Sequence, residues 1–157
     1  MAGAKPIPEG YSSLTPYLII DGAAAAIEFY TKAFGATERM RLARPDGKIG
    51  HAEIVIGGAV LMLADEYEGH GARAPGAFGD SPVHMHLYVP DVDRVTRAAV
   101  AAGATVVRPV ADQFYGDRSG ALADPFGHLW HIATHIEDVM PDEIARRAEA
   151  AMKSTGE

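Results

Sequence analysis

The spacing of apolar residues changes period several times along the chain, and each change marks an element. Leu14 to Ile20 is a short apolar run of strand length. From Ala23 to Phe34 the apolar positions fall at helical spacing, with Ile27, Tyr30 and Phe34 on one stripe. That spacing predicts a core-packed helix, with Asp21 placed to cap its start and Gly35 to end it in the left-handed region. Ala36 to Arg44 reads as a strand, Pro45-Asp46-Gly47 as a turn, and Ile49 to Ile56 as a second strand. Strand side chains alternate, so His51, Glu53 and Val55 share one face and Ala52, Ile54 and Ile56 the other. Gly57-Gly58 predicts a tight hairpin into a further strand, Ala59 to Ala64.

The pattern breaks between residues 65 and 82, where glycine, proline and acidic residues predict a mobile connection without a regular element. A lid over a binding site is its functional alternative. The second half then repeats the first: strand Val83–Val89, helix Val92–Ala102 ended by Gly103, and strands Thr105–Val110, Tyr115–Ala123 and His128–Thr134. Val95, Ala99 and Ala102 face inward on this second helix. Gly35-Ala36-Thr37 recurs as Gly103-Ala104-Thr105, and the hairpin Gly58 has its counterpart in Gly127. Pro141, with Asp142 and Glu143 behind it, starts a final helix. The expected organisation is an extended arm (1–13), a βαβββ module (14–66), the connection (67–82), a second βαβββ module (83–137) and a terminal helix (138–157).

The stretch Asp124-Pro125-Phe126-Gly127-His128-Leu129-Trp130-His131 opens as a turn and continues as a strand. Leu129, His131 and Ala133 share one face there; His128, Trp130 and Ile132 share the other. His84 and His86 also share a strand face. These imidazoles and Glu53 are the residues for which chemistry is expected. Composition narrows the setting. Net charge is −7 with no basic patch, which argues against nucleic acid as a partner. There is no cysteine, so thiolate chemistry and a disulfide framework are both excluded. Met1 to Gly10 lacks the apolar core of a signal peptide, and no apolar run is long enough to span a bilayer. The expectation is a cytoplasmic protein without a membrane partner.

Gly50-His51-Ala52-Glu53, Phe114-Tyr115-Gly116-Asp117-Arg118 and Asp124-Pro125-Phe126-Gly127-His128-Leu129-Trp130, set in two βαβββ modules, resemble the vicinal oxygen chelate superfamily. That group includes glyoxalase I, extradiol dioxygenases and bleomycin-resistance proteins, and the resemblance is to its PhnB-like branch. It implies an α+β fold in which curved mixed sheets enclose a cavity, often across a homodimer interface. It also implies metal ligands on the first and last strand of each module. Those positions here are Thr15, Met62, His84 and His131, and only the two histidines suit a first-row divalent ion.

Two functions follow as expectations. One is a glyoxalase-like lyase or dioxygenase-like oxygenase using a divalent ion (Zn, Ni, Fe or Mn), with His84 and His131 as ligands and His131 or Glu53 moving the proton. The other is a metal-free protein that sequesters a drug or metabolite. In either case a small-molecule ligand would meet His51, Met62, His86, Tyr115, Arg118 and Trp130. Arg118 would hold an anionic group, unless an ion pair with Asp117 or Glu53 occupies it. An interaction module with a vestigial site is the third possibility.

Overall fold

The computed structural model describes residues 3–156. Met1, Ala2 and Glu157, the ends of the expected arm and terminal segment, lie outside the described residues. The first module runs β1 (Tyr17–Ile20), α1 (Ala23–Phe34), β2 (Thr37–Ala43), β3 (Ile49–Ile56) and β4 (Ala59–Asp65). The second runs β5 (His84–Tyr88), α2 (Val92–Ala102), β6 (Thr105–Asp112), β7 (Asp117–Ala123) and β8 (Leu129–His135). The helix α3 (Pro141–Ser154) closes the chain. Each module forms its own four-stranded mixed sheet, ordered β1-β4-β3-β2 and β5-β8-β7-β6. In each, the first and last strands are parallel and the other pairs antiparallel.

One hydrophobic core spans both modules. Leu18, Ile20, Ile54 and Leu63 of the first sheet meet Leu122, Trp130 and Ile132 of the second, with α1 and α2 packed against each other among them. The α1 stripe does what its spacing predicts: Ile27 and Tyr30 are buried, and Tyr30 and Phe34 lie against the Trp130 indole at 5.3 and 4.7 Å between ring centres. Gly35, at φ 68°, lets its own N–H and that of Ala36 return to the carbonyls of Thr31 and Tyr30.

The cap of α1 departs from expectation. Asp21 does not supply it. Gly22 precedes the helix, and the buried Asp65 at the end of β4 accepts from the Gly22 and Ala23 N–H groups at 3.0 and 2.9 Å. Its other oxygen takes the Ile49 N–H at 2.7 Å. A carboxylate from a distant strand thus does the work of a local cap, and joins helix to sheet in doing so. In the second module Asp124 plays a comparable part. It accepts from the N–H groups of Phe126 and His128, the Tyr30 hydroxyl at 2.6 Å and the Trp130 indole at 3.0 Å.

The connection is also more ordered than expected. Tyr67 and Ala72 form a bridge and Pro75–Ala77 a single 3₁₀ turn. The Ala74 N–H donates to the Glu66 carboxylate, and the Arg44 guanidinium lies over the Tyr67 ring. Ala74 and Pro75 are buried, with Pro75 against the turn at Gly127. β7 begins at Asp117 rather than Tyr115, because Gly116 turns at φ 100°.

Candidate functional site

Each sheet has one face packed on the helices and one open face. On the open face of the first sheet, Tyr17, Met62, Glu53 and Met40 are register partners across β1, β4, β3 and β2. Glu53 is only 6% exposed. Its two oxygens take the Tyr11 hydroxyl and His51 Nε2, the latter at 3.1 Å, and His51 Nδ1 meets the Tyr17 hydroxyl at 2.8 Å. The hydrogen bond from Tyr11, followed by that from His51, holds the Glu53 carboxyl below the usual carboxylate range despite burial. Burial and the Glu53 charge push the Tyr17 phenol up. The arm carrying Tyr11 covers this face, leaving a hollow of about 460 Å³ bounded by Thr15, Glu53 and Met62.

On the second sheet the matching row is His86, His131, Ala121 and Arg108. His84 Nδ1 and His131 Nε2 lie 3.0 Å apart, within hydrogen-bond distance, with the donor set by the tautomer. Burial first, then the charges of His84, Arg108 and His86, lowers the His131 pKa. Further along, the buried Asp117 accepts from the Tyr88 hydroxyl at 2.7 Å and pairs with His135 at 2.8 Å. Burial raises the Asp117 pKa, but the bonds from His135 and Tyr88 outweigh it and the net shift is downward. A hollow of about 440 Å³ lies here, between this face and the start of α3.

A larger groove, about 850 Å³, lies between the free edges of β1 and β5 and the connection. Leu14, Tyr17, Phe78, Val83, His84 and Met85 give it a mostly apolar lining, and Phe78 and Val83 are 64% and 65% exposed.

The residues expected at the site divide accordingly. His84, His86 and His131 come together on one open face, and His51, Glu53 and Met62 on the other. Tyr115 stands on the second module beside Ser119, its hydroxyl 3.3 Å from the Ser119 hydroxyl. Two expectations are corrected. Trp130 is buried on the helix side and donates to Asp124, so it has no ligand surface. Arg118 alternates to that same side, where Asp93 and Asp112 hold its guanidinium; neither Asp117 nor Glu53 is its partner. Tyr11 and Tyr17 were not among the expected residues. Tyr17 was within reach, being two residues after Thr15 and so on its face. No local signal marks Tyr11, which meets Glu53 only through the tertiary fold.

Within this chain the four implied ligand positions fall in two places rather than one. Thr15 and Met62 border the hollow under the arm, whereas His84 borders the groove. A hydroxyl and a thioether are weak donors for a first-row divalent ion. Among the described residues, no group of three or more His, Asp or Glu side chains is placed to hold one. Among those residues, too, no helix is long and apolar enough to cross a membrane.

Comparison with known proteins gives a consistent picture. A family model, the Glyoxalase/Bleomycin resistance protein/Dioxygenase superfamily, matches residues 14–132. An uncharacterized protein of Mycobacterium bovis is 45% identical over 148 residues, 92% of this chain and 95% of that protein. TioX from Micromonospora sp. ML1 superposes with a TM-score of 0.61 at 27% identity, covering 82% of this chain and 100% of TioX. The PhnB protein from Bacillus cereus does so with a TM-score of 0.62, over 78% and 99% of the two chains. At its 19% identity that likeness concerns the fold.

Proposed function

The chain belongs to the glyoxalase/bleomycin resistance protein/dioxygenase superfamily, and we propose that it is a metal-free binding protein of the PhnB-like kind that sequesters an apolar small molecule. The observation that carries this reading is the apolar groove of about 850 Å³ between β1 and β5. A groove of that size suits a drug-sized ligand, with polar groups at its border to orient it. Arg73, Asp80 and His84, which are among its lining residues, supply those groups. Thr15 and Met62, standing where metal-using relatives place ligands, support binding over metal chemistry.

The test uses the neutral dye Nile red and protein purified without an affinity tag. The reading expects one saturable site, unchanged by dialysis against EDTA. Val83→Glu, which places a charge in the groove at an exposed position, should weaken the dye at least about tenfold. Dye binding that ignores this substitution would overturn the reading.

The close pair His84 and His131 favours a second reading, the metal-dependent lyase or oxygenase. A stoichiometric divalent ion that is lost in His84→Ala would establish it in place of the first.

The chain is also read as a homodimer, because Leu42 on β2 and Val107 on β6 leave apolar surface at the outer strand of each sheet. Light scattering after size exclusion checks this, and a monomer at micromolar concentration would refute it.

A further inference from the structure

We propose that the open face of the first module is a second ligand site, one for an aryl hydroxyl, and that the chain's own Tyr11 occupies it as an internal stand-in. The acceptor is already built. Glu53 is almost wholly buried, and His51, itself oriented by Tyr17, fixes one of its oxygens. The Tyr11 phenol donates to the other. The Arg39 guanidinium lies over the Tyr11 ring, 4.8 Å from its centre. Beside the phenol the hollow continues for about 460 Å³, bounded by Ile7, Pro8, Thr15 and Met62. The carboxylate of Glu53, the guanidinium of Arg39 and the thioether of Met62, all on the sheet and not on the arm, together make a receptor for a flat ring with a hydroxyl at its edge.

The manner of attachment says that the phenol can leave. Residues 3–10 are exposed and add no strand to the sheet. The arm's other hydrogen bonds, Tyr11 N–H to Pro8 carbonyl and Ser12 hydroxyl to Leu14 carbonyl, are internal to the N-terminal segment. Among the described residues, Tyr11 to Glu53 is the one hydrogen bond from residues 3–14 to the rest of the fold. Glu53 cannot stay buried without a donor at low cost, so the arm departs by exchange, one hydroxyl replacing another. A tethered phenol competes at an effective concentration in the millimolar range, and weak external ligands are therefore masked in the intact chain.

The probe is p-cresol, the side chain of tyrosine as a free molecule, titrated by calorimetry into the full-length protein. Tyr11→Ala should bind it at least about tenfold more tightly than wild type. In that variant p-cresol should exceed toluene, which lacks the hydroxyl, by a similar factor. Tyr11→Phe keeps the ring under Arg39 and should show an intermediate gain; it also stands in if the alanine variant does not fold, with the near-ultraviolet circular dichroism of buried Trp130 reporting the core. In wild type, p-cresol should speed chymotryptic cleavage after Tyr11 as the arm is released. Val83→Glu, in the groove, should leave p-cresol binding unchanged, which separates this site from the one proposed above. Equal p-cresol affinity in wild type and the Tyr11 variants, no preference over toluene, or binding without faster cleavage would each overturn the proposal.

Discussion

Across β1, β4, β3 and β2 the first module reads Tyr17, Met62, Glu53 and Met40; across β5, β8, β7 and β6 the second reads His86, His131, Ala121 and Arg108. The strand order is the same and the rows correspond, and the chemistry is not. On the helix side both modules are held to one plan, because a slip of one residue would carry Leu18, Ile54 or Ile132 out of the shared core. The open faces lie under no such constraint. One has acquired a buried carboxylate covered by the arm, the other a ladder of imidazoles beside an arginine. The two modules therefore share the side that packs and differ on the side that stays open.

The helix sides offer the largest effects with which to test that contrast. Each module is tied to α1 by a buried carboxylate, Asp65 in the first and Asp124 in the second. Asp124→Ala strands an indole N–H, a phenol and two backbone N–H groups, and should cost about 3–5 kcal/mol in urea unfolding. Asp65→Ala strands three backbone donors and should cost about 2–3 kcal/mol. If both losses were below about 1 kcal/mol, the common plan would not rest on these anchors.

A smaller effect probes the open faces directly. Met62 is the register partner of Glu53, whose carboxylate His51 already meets. Met62→His would place three donors on one face, and zinc affinity by calorimetry should rise at least about tenfold over wild type. An unchanged affinity would mean that more than composition separates the two rows.

How far the chain could be read in advance follows the same division. The helices Ala23–Phe34 and Val92–Ala102 were legible to the residue, because amphipathic spacing and a terminal glycine are local signals. The faces of β3 and β8 were legible from alternation, which separates His131 from Trp130. What stayed hidden depends on partners far along the chain. Asp65 displaces Asp21 as the helix cap from the far strand of the sheet. Arg118 meets Asp93 on α2 rather than a ligand. Tyr11 reaches Glu53 from an arm that carries no periodic pattern at all. Side-chain facing was thus available from spacing, but the choice of hydrogen-bond partner was not.

The smallest expected effect sets the two modules against each other in pH. In the second, hydrogen bonds to Asp117 and then Asp138 raise the His135 pKa above 6.5. The folded protein holds that proton more tightly than the unfolded chain, so this stabilisation is complete below 6.5 and fades as pH rises through the folded value. In the first, the bond from Tyr11 and then that from His51 lower the Glu53 pKa from 4.5. That contribution is present above 4.5 and fades as pH falls through the folded value. These two contributions should therefore fade at opposite ends of the pH range. His135→Ala should flatten the fall in melting temperature on the alkaline side, and part of the acid-side fall as well, because Asp117 loses a partner that holds its pKa down. Tyr11→Phe should flatten the acid-side fall and leave the slope through the His135 range unchanged. Because His135 is half-exposed, solvent screening keeps its slope shallow, and melts at closely spaced pH values are needed to see it. If Tyr11→Phe also flattened the slope through the His135 range, the two networks would be coupled through the shared core, and the open faces would not be the independent surfaces that their chemistry suggests.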